Sequence, residues 1–392
     1  MTCIRPYDPA RDHDAARRLF REVGWSDGSA TAEEATECHL RAARALVAEL
    51  AGSVENLVLT CPATVRYLQE DLPLCAVTDV LTGHVARQQG LAARTTAQAL
   101  ARAAAQGELA AALGIFDQGY YNRLGFGNGA YDYSVRFDPG SLRCTGSHRP
   151  PRRLGRDDWQ AMHAARLERL RNHGSFNMQA PDMTQAEILS SRSGFGLGYA
   201  DGPDGTLSHY VWCSASNMEH GPFHVRWLVY RNAGQLLELL SLLRSLGDQA
   251  RTISLIEPPG IQLQDLLSWP FRHWEMSEGS EYRQGVSARA WWQFRILDLP
   301  GCLARTHLSS PEVRFNLRLS DPVERYLEGN APWRGTAGEY VVTLGPTSGA
   351  RPGHDASLPT LAASVNAFSR LWLGVRPASG LAVTDELQGP PD

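Results

Sequence analysis

Residues 86–93 read ARQQGLAA, with Arg87, two glutamines and Gly90 followed by small side chains. They stand between an apolar run, LCAVTDVLT (74–82), and an alanine-rich stretch. Where a strand passes into a helix, the first helical N–H groups have no intrahelical partner, and the helix end carries roughly half a positive charge. Together these make an anion site. Gly90, with only methyl groups at Ala92 and Ala93, lets a diphosphate come close to the main chain, and Arg87 adds charge or fixes the loop. A turn that uses Gly90 for backbone conformation alone would look the same. Further along, YYNRLGFGNG (120–129) offers two phenols, Tyr120 and Tyr121. Either phenol can serve as a hydrogen-bond donor or as a core side chain.

Competing chemistries are poorly supported. No GxxxxGK[ST] occurs, and SGFGLG (193–198) precedes an Asp-Gly hairpin turn, so its glycines read as strand glycines. HGPFH (220–224) carries a proline that forbids the helix on which two histidines would share a face. His84, at the end of the apolar run, reads as structural or as a phosphate contact or base. Seven cysteines, odd in number, widely spaced and without a CxxC, argue against a disulfide framework or a zinc site, so no metal is called for. A net charge of −4 gives no basic field for nucleic acid. The opening MTCIRPYDPARDHD is charged at once, and no window reaches ~18 apolar residues, so a cytoplasmic protein with no membrane span is expected.

Several elements must position these residues. Apolar spacing predicts a helix over 10–23, a second over 35–50, and strands over 55–68 and 73–82. A helix follows from about 90 to 106, then short strands over 113–117 and 131–137. SHRPPRRLGRDD (147–158) is proline-rich and basic and marks a boundary. Helix, hairpin turning at 201–205, strand 224–230, helix 233–249 and strand 252–258 then repeat the earlier order of elements. From about 290 the style changes, with strands over 313–319 and 338–345, a helix near 361–372 and a loose tail, TDELQGPPD.

VTDVLT followed by RQQGLA resembles the acetyl-CoA signature [QR]-x-x-G-x-[GA] of the GNAT acetyltransferases, matched at Arg87, Gly90 and Ala92. QGYYNRLGFGNG (118–129) resembles the Y-x-R-x-G-[YF]-G segment of their Eis-like branch, matched at Tyr121, Arg123, Gly125, Phe126 and Gly127. The opening IRPYDPARDHDAARRLFREVGW and the last third, from QFRILDLPGCLA, also resemble that branch. The resemblance implies an α/β (α+β) fold: two tandem GNAT-type domains, 1–146 and 147–289, then a sterol-carrier-protein-like domain, 290–392. It implies direct transfer of acetyl from acetyl-CoA, as co-substrate, to a primary amine of aminoglycoside, polyamine or lysine type, in a homo-oligomer, a hexamer in relatives. Carried over by position, Val80, Leu81 and Thr82 pair with the pantetheine arm, and Gln88, Gln89, Gly90, Leu91, Ala92 and Ala93 present N–H groups to the diphosphate. Phe116 and Asp117 lie by the thiol end, and Tyr121 is the general acid. In that branch the base is the C-terminal carboxylate, usually on an aromatic residue. This chain ends GPPD, so Asp392 brings two carboxylates and no ring. Asp117, Asp79 or a water chain are alternatives for that role. A non-catalytic acyl-CoA or lipid sensor is the other reading of the same residues.

Overall fold

The computed structural model describes residues 3–390 apart from 116, 118, 145, 192 and 269–277. It is a mixed α/β fold with three sheets. The first contains β1 (Cys3–Pro6), β2 (Arg44–Leu50), β3 (Ser53–Tyr67), β4 (Glu70–Thr82) and β5 (Ala110–Gly114), in that order. Beyond β5 come the strand Trp292–Ile296 and then β6 (Gly127–Asn128). All neighbours are antiparallel except β4 and β5.

Helix α1 (Pro9–Glu22) begins where Asp8 accepts a hydrogen bond from the Ala10 N–H and Pro9 takes the first helical position. Its Ala16, Leu19 and Phe20 pack with Val47, Leu57, Leu59 and Leu81 on one face of the sheet. α2 (Ala30–Ala42) is capped by Ser29. On the opposite face, Ala93, Ala97, Leu100 and Ala103 of α3 (Leu91–Ala105) meet Val58, Cys75, Val77 and Leu113. The second helix ends earlier than its composition suggests. RALVAEL (44–50) reads as helix from its alanines and leucines, but it pairs with β1 on one side and β3 on the other, and that pairing decides its state.

The second sheet holds β7 (Asp132–Phe137) between the strands Gly285–Arg289 and Ile253–Ile256, then Phe223–Val229, His209–Ala215, Phe195–Tyr199 and Arg152–Leu154. α4 (Trp159–Leu167), α5 (Pro181–Leu189) and α6 (Ala233–Ser245) accompany it. The third sheet runs Gly349–Pro352, Gly338–Leu344, Val313–Ser320, Thr360–Ser364 and Leu387–Gln388. Two strands cross the limits 146 and 289 read from the sequence. Asp132–Phe137 is a strand of the second sheet, and Trp292–Ile296 belongs to the first. Residues 361–364, expected within a helix, belong to the strand Thr360–Ser364, and the helix starts at Val365 under a Ser364 cap. The tail is tied down as well, since Leu387 is buried and its strand pairs with Ala362 and Ala363.

Candidate functional site

β4 and β5 are parallel neighbours only from Leu74↔Ala110 to Val77↔Leu113. After that they part. β5 stops at Gly114, and the Ile115 N–H donates to the Trp291 carbonyl at 2.7 Å, on the side away from β4. β4 runs on to Thr82 paired with β3 alone. At the parting point the β3–β4 register slips by one residue, with Leu59 opposite Asp79 and Thr60 opposite Val77. Thr78 is therefore a bulge residue, which bends β4 and leaves its far edge open.

Alternation along the ladder fixes which groups line that edge. The Gly83 N–H donates to the Glu55 carbonyl at 2.8 Å, so hydrogen-bonded pairs with β3 fall at 83 and, two residues back, at 81. Val80 and Thr82 then turn their N–H and C=O groups to the side β5 has vacated. Leu81 does not: it faces β3, its carbonyl also accepts from Asn56 Nδ2 at 2.7 Å, and its side chain lies in the α1 core.

From Thr82 the chain passes through Gly83 and a short 3-10 turn, His84–Ala86, into an exposed loop. Arg87 is extended, Gln88 has φ +63°, and Gly90 has φ +75°. That left-handed conformation is why a glycine stands at the head of α3. No side chain caps this helix, and its first turn holds no acidic residue. The amides of Leu91, Ala92 and Ala93 are thus left to solvent or a ligand. Leu91 and Ala93 anchor in the core, and open space surrounds the position a Gly90 Cβ would take. Gln89 folds back to the Val85 carbonyl at 3.2 Å, and Arg87 is exposed. His84 is exposed too; its own N–H, at 2.9 Å from Glu22 Oε2, holds the turn. The histidines of HGPFH go to separate partners, His220 to the Tyr282 hydroxyl and His224 to Ser254 and Ser216.

Tyr121 opens a 3-10 turn, Tyr121–Leu124, that closes at Gly125 with φ +85°. It belongs to the same core cluster as Ala93 and Ala97 of α3, and its ring meets Tyr120 edge-on at 4.9 Å. The hydroxyl has no hydrogen-bond partner among the described residues, and only 8% of the residue is exposed. Burial, with Tyr120 and the Asp79 carboxylate nearby, pushes the phenol above its ordinary range, so it is protonated at neutral pH. Asp117 is exposed, and its carbonyl accepts from the Tyr120 N–H at 3.3 Å. Phe116 and Asp392 lie outside the described residues.

Asp79 was only one alternative among several in the sequence. It is buried, 3% exposed, and its Oδ2 lies 3.1 Å from His39 Nδ1 on α2. His39 was missed altogether. The two are forty residues apart in sequence, so no local spacing links them.

The whole chain superposes on solved structures of low identity. A probable N-acyltransferase from Enterococcus faecalis V583 gives a TM-score of 0.79 at 17% identity, covering 100% of this chain and 94% of that one. The fold is that of the GCN5-related N-acetyltransferases. A GCN5-related N-acetyltransferase from Kribbella flavida matches at TM-score 0.73 and 18% identity, over 100% of this chain and 93% of that one. Eis1 from Mycobacterium abscessus matches at 0.75 and 17%, over 100% and 94%. No protein-family profile and no curated protein matches the chain. Along the chain, the unpaired edge of β4 at Val80 and Thr82 is followed, after the Gly90 turn, by the uncapped start of α3. Among the described residues no helix is long and apolar enough to cross a membrane.

Proposed function

We propose that the chain is an N-acetyltransferase that moves acetyl from acetyl-CoA to a primary amine by direct transfer in a ternary complex. The observation that carries this is the order of main-chain groups along one stretch. Val80 and Thr82 present amides on an open strand edge, and the bare amides of residues 91–93 follow after Gly90. A linear ligand with an amide-containing arm and a diphosphate fits that order. The arm extends the sheet as a strand would, and the diphosphate takes the helix start. Its thioester then lies where β4 and β5 part.

Tyr121 supports the chemistry there. The neutral phenol, its hydroxyl without a partner among the described residues, is a donor for the departing sulfur. The buried thiols do not serve as a relay. Six of the seven cysteines are buried, and burial raises Cys61 and Cys213 to about 12. At neutral pH such groups are thiols, not nucleophilic thiolates. The amine itself is the nucleophile in this reading.

The test is thiol release from acetyl-CoA with kanamycin, spermidine and Nα-acetyl-lysine as acceptors from pH 6 to 9, beside calorimetry with coenzyme A. Turnover with at least one amine is expected. Binding of coenzyme A without turnover of any amine would make the chain a sensor instead. Assembly into homo-oligomers and a sterol-carrier-like third unit belong to the same proposal. Sedimentation of the purified chain reads the first.

A further inference from the structure

A primary amine at pH 7 is almost wholly ammonium, with only about 10⁻³ to 10⁻⁴ present as free base. The reaction proposed above therefore needs a proton acceptor on the amine side. The described part of the tail does not lead towards Tyr121. Its last strand, Leu387–Gln388, is antiparallel to Thr360–Ser364, so the chain then passes Leu361, away from the helix Val365–Trp372. That helix touches the Tyr121 turn, through Asn366 Nδ2 to the carbonyls of Asn122 and, just beyond the turn, Phe126.

A different group stands at the parting of the strands. Asp79 is the residue after the Thr78 bulge, two beyond the last β4–β5 pair, and its charge is felt by Tyr121. Its carboxylate meets the imidazole of His39 on α2. Buried carboxylates are costly unless paired, and His39 Nδ1 is the one hydrogen-bond partner of the Asp79 side chain among the described residues. The contact fixes the ring and places the Nδ1 proton against Asp79, leaving Nε2 with its lone pair. Nε2 has no protein partner among the described residues, and 22% of the His39 side chain is exposed. Phe20 lies against the ring at 6.0 Å, with Trp25, half-exposed, against Phe20 at 6.2 Å. Aromatic faces of this kind attract alkylammonium groups.

We propose that His39 Nε2 takes the proton from the acceptor ammonium, with Asp79 as the positioning residue that orients the ring. The proposal rests on the transferase reading above. The ammonium gives one proton to Nε2. The neutral nitrogen then forms the N–C bond to the thioester carbonyl, and the C–S bond breaks as sulfur takes the Tyr121 phenol proton. The new nitrogen, one proton richer than an amide, returns a proton to the phenolate through water. The imidazolium releases its proton to solvent, so one proton leaves per turnover.

The surrounding charges suit a base working near neutrality. Burial alone would lower the His39 pKa, but the hydrogen bond and charge of Asp79 on β4, with Glu187 on α5, raise it above its ordinary value. Cys61 on β3 is held as a thiol by burial, with the Asp79 charge acting in the same direction. Arg41 on α2 is engaged by Asp182 of α5.

The test is kcat/KM for spermidine against pH in wild type, His39→Gln, Asp79→Asn and a control, His13→Gln, whose ring pairs with Glu37 at 2.7 Å between α1 and α2. In the His39 variant the rate at pH 7 should fall about 10²-fold. It should then climb tenfold per pH unit to pH 9, following free amine alone. Asp79→Asn should move the acid limb to lower pH, and the control should keep the wild-type profile. Coenzyme A affinity by calorimetry should be the same in all four. Titration of the His39 ring by NMR, independent of turnover, should give a midpoint above 6.5 in wild type and a lower one in Asp79→Asn. Wild-type turnover matched by His39→Gln at pH 7, or an acid limb unmoved by Asp79→Asn, would overturn the dyad alone. A wild type that binds coenzyme A and turns over no amine would overturn the transferase reading with it.

Discussion

At the scale of single residues the account divides labour between Tyr121 and the main chain. Tyr121 is buried in the core cluster that α3 and Phe126 share, and burial keeps its phenol a neutral donor. Tyr121→Phe keeps the packing and removes the donor. Turnover should drop about 10²-fold in steady-state assays with coenzyme A affinity unchanged, and equal turnover would remove the phenol from the mechanism. The His39–Asp79 contact also has a stability signature. The folded pKa of His39 is raised, so the pair stabilises the fold fully below the unfolded value, ~6.5, and that part is lost as pH rises through the folded value. The gap in denaturation midpoint between wild type and His39→Gln should be larger at pH 5.5 than at pH 9. A gap that is the same at both would show that the ring does not gain a proton-linked partner on folding.

At the scale of elements, the turn that carries Tyr121 is held from outside. Arg295 on the strand Trp292–Ile296 donates to the Leu124 carbonyl and pairs with Asp321 at 2.6 Å, both side chains fully buried. Asp321 also accepts from the Val323 and Thr336 amides. Arg295→Met strands a buried carboxylate at a cost of about 3 kcal/mol, near the lower end for a broken buried pair because those amides remain. Denaturant titration should show that loss, with kcat reduced more than coenzyme A affinity. An unchanged midpoint would mean the pair does not hold the turn. How much was legible also differs by element. The β4–loop–α3 unit could be read from the sequence because its signals are local: an apolar run, a glycine that needs positive φ, and a run of alanines. RALVAEL misled because its state is set by β1 and β3, not by its own propensity. The Thr78 bulge, and with it the Asp79–His39 contact, depends on register between strands and leaves no mark in residue spacing.

At the scale of the whole molecule, the site draws on elements from distant parts of the chain. The strand Trp292–Ile296 fills the first sheet beside β5, and the helix Val365–Trp372 grips the Tyr121 turn through Asn366. α5 packs Ala186 and Leu189 against Ala35 and Cys38 of α2, the helix that carries His39. This interleaving is why limits drawn at 146 and 289 from composition shifts do not coincide with the sheets. It also sets where the chain can be cut. Removing residues 389–392 leaves the Leu387–Gln388 strand in place and takes away Asp392. With His39 as base, amine turnover should stay within threefold. A loss of about 10²-fold would return that role to the terminus.

The central claim is that main-chain amides at the head of α3 hold a diphosphate, and calorimetry with coenzyme A tests it most directly. Wild type should bind with a dissociation constant of roughly 1–100 μM, a free energy of about −5.5 to −8 kcal/mol. Gly90→Ala should weaken binding only modestly, through the cost of holding alanine at φ +75°, about 1–2 kcal/mol. Gly90→Glu, which sets a carboxylate over the same amides, should abolish it. No heat with wild type at millimolar coenzyme A, or equal affinity in Gly90→Glu, would contradict the account.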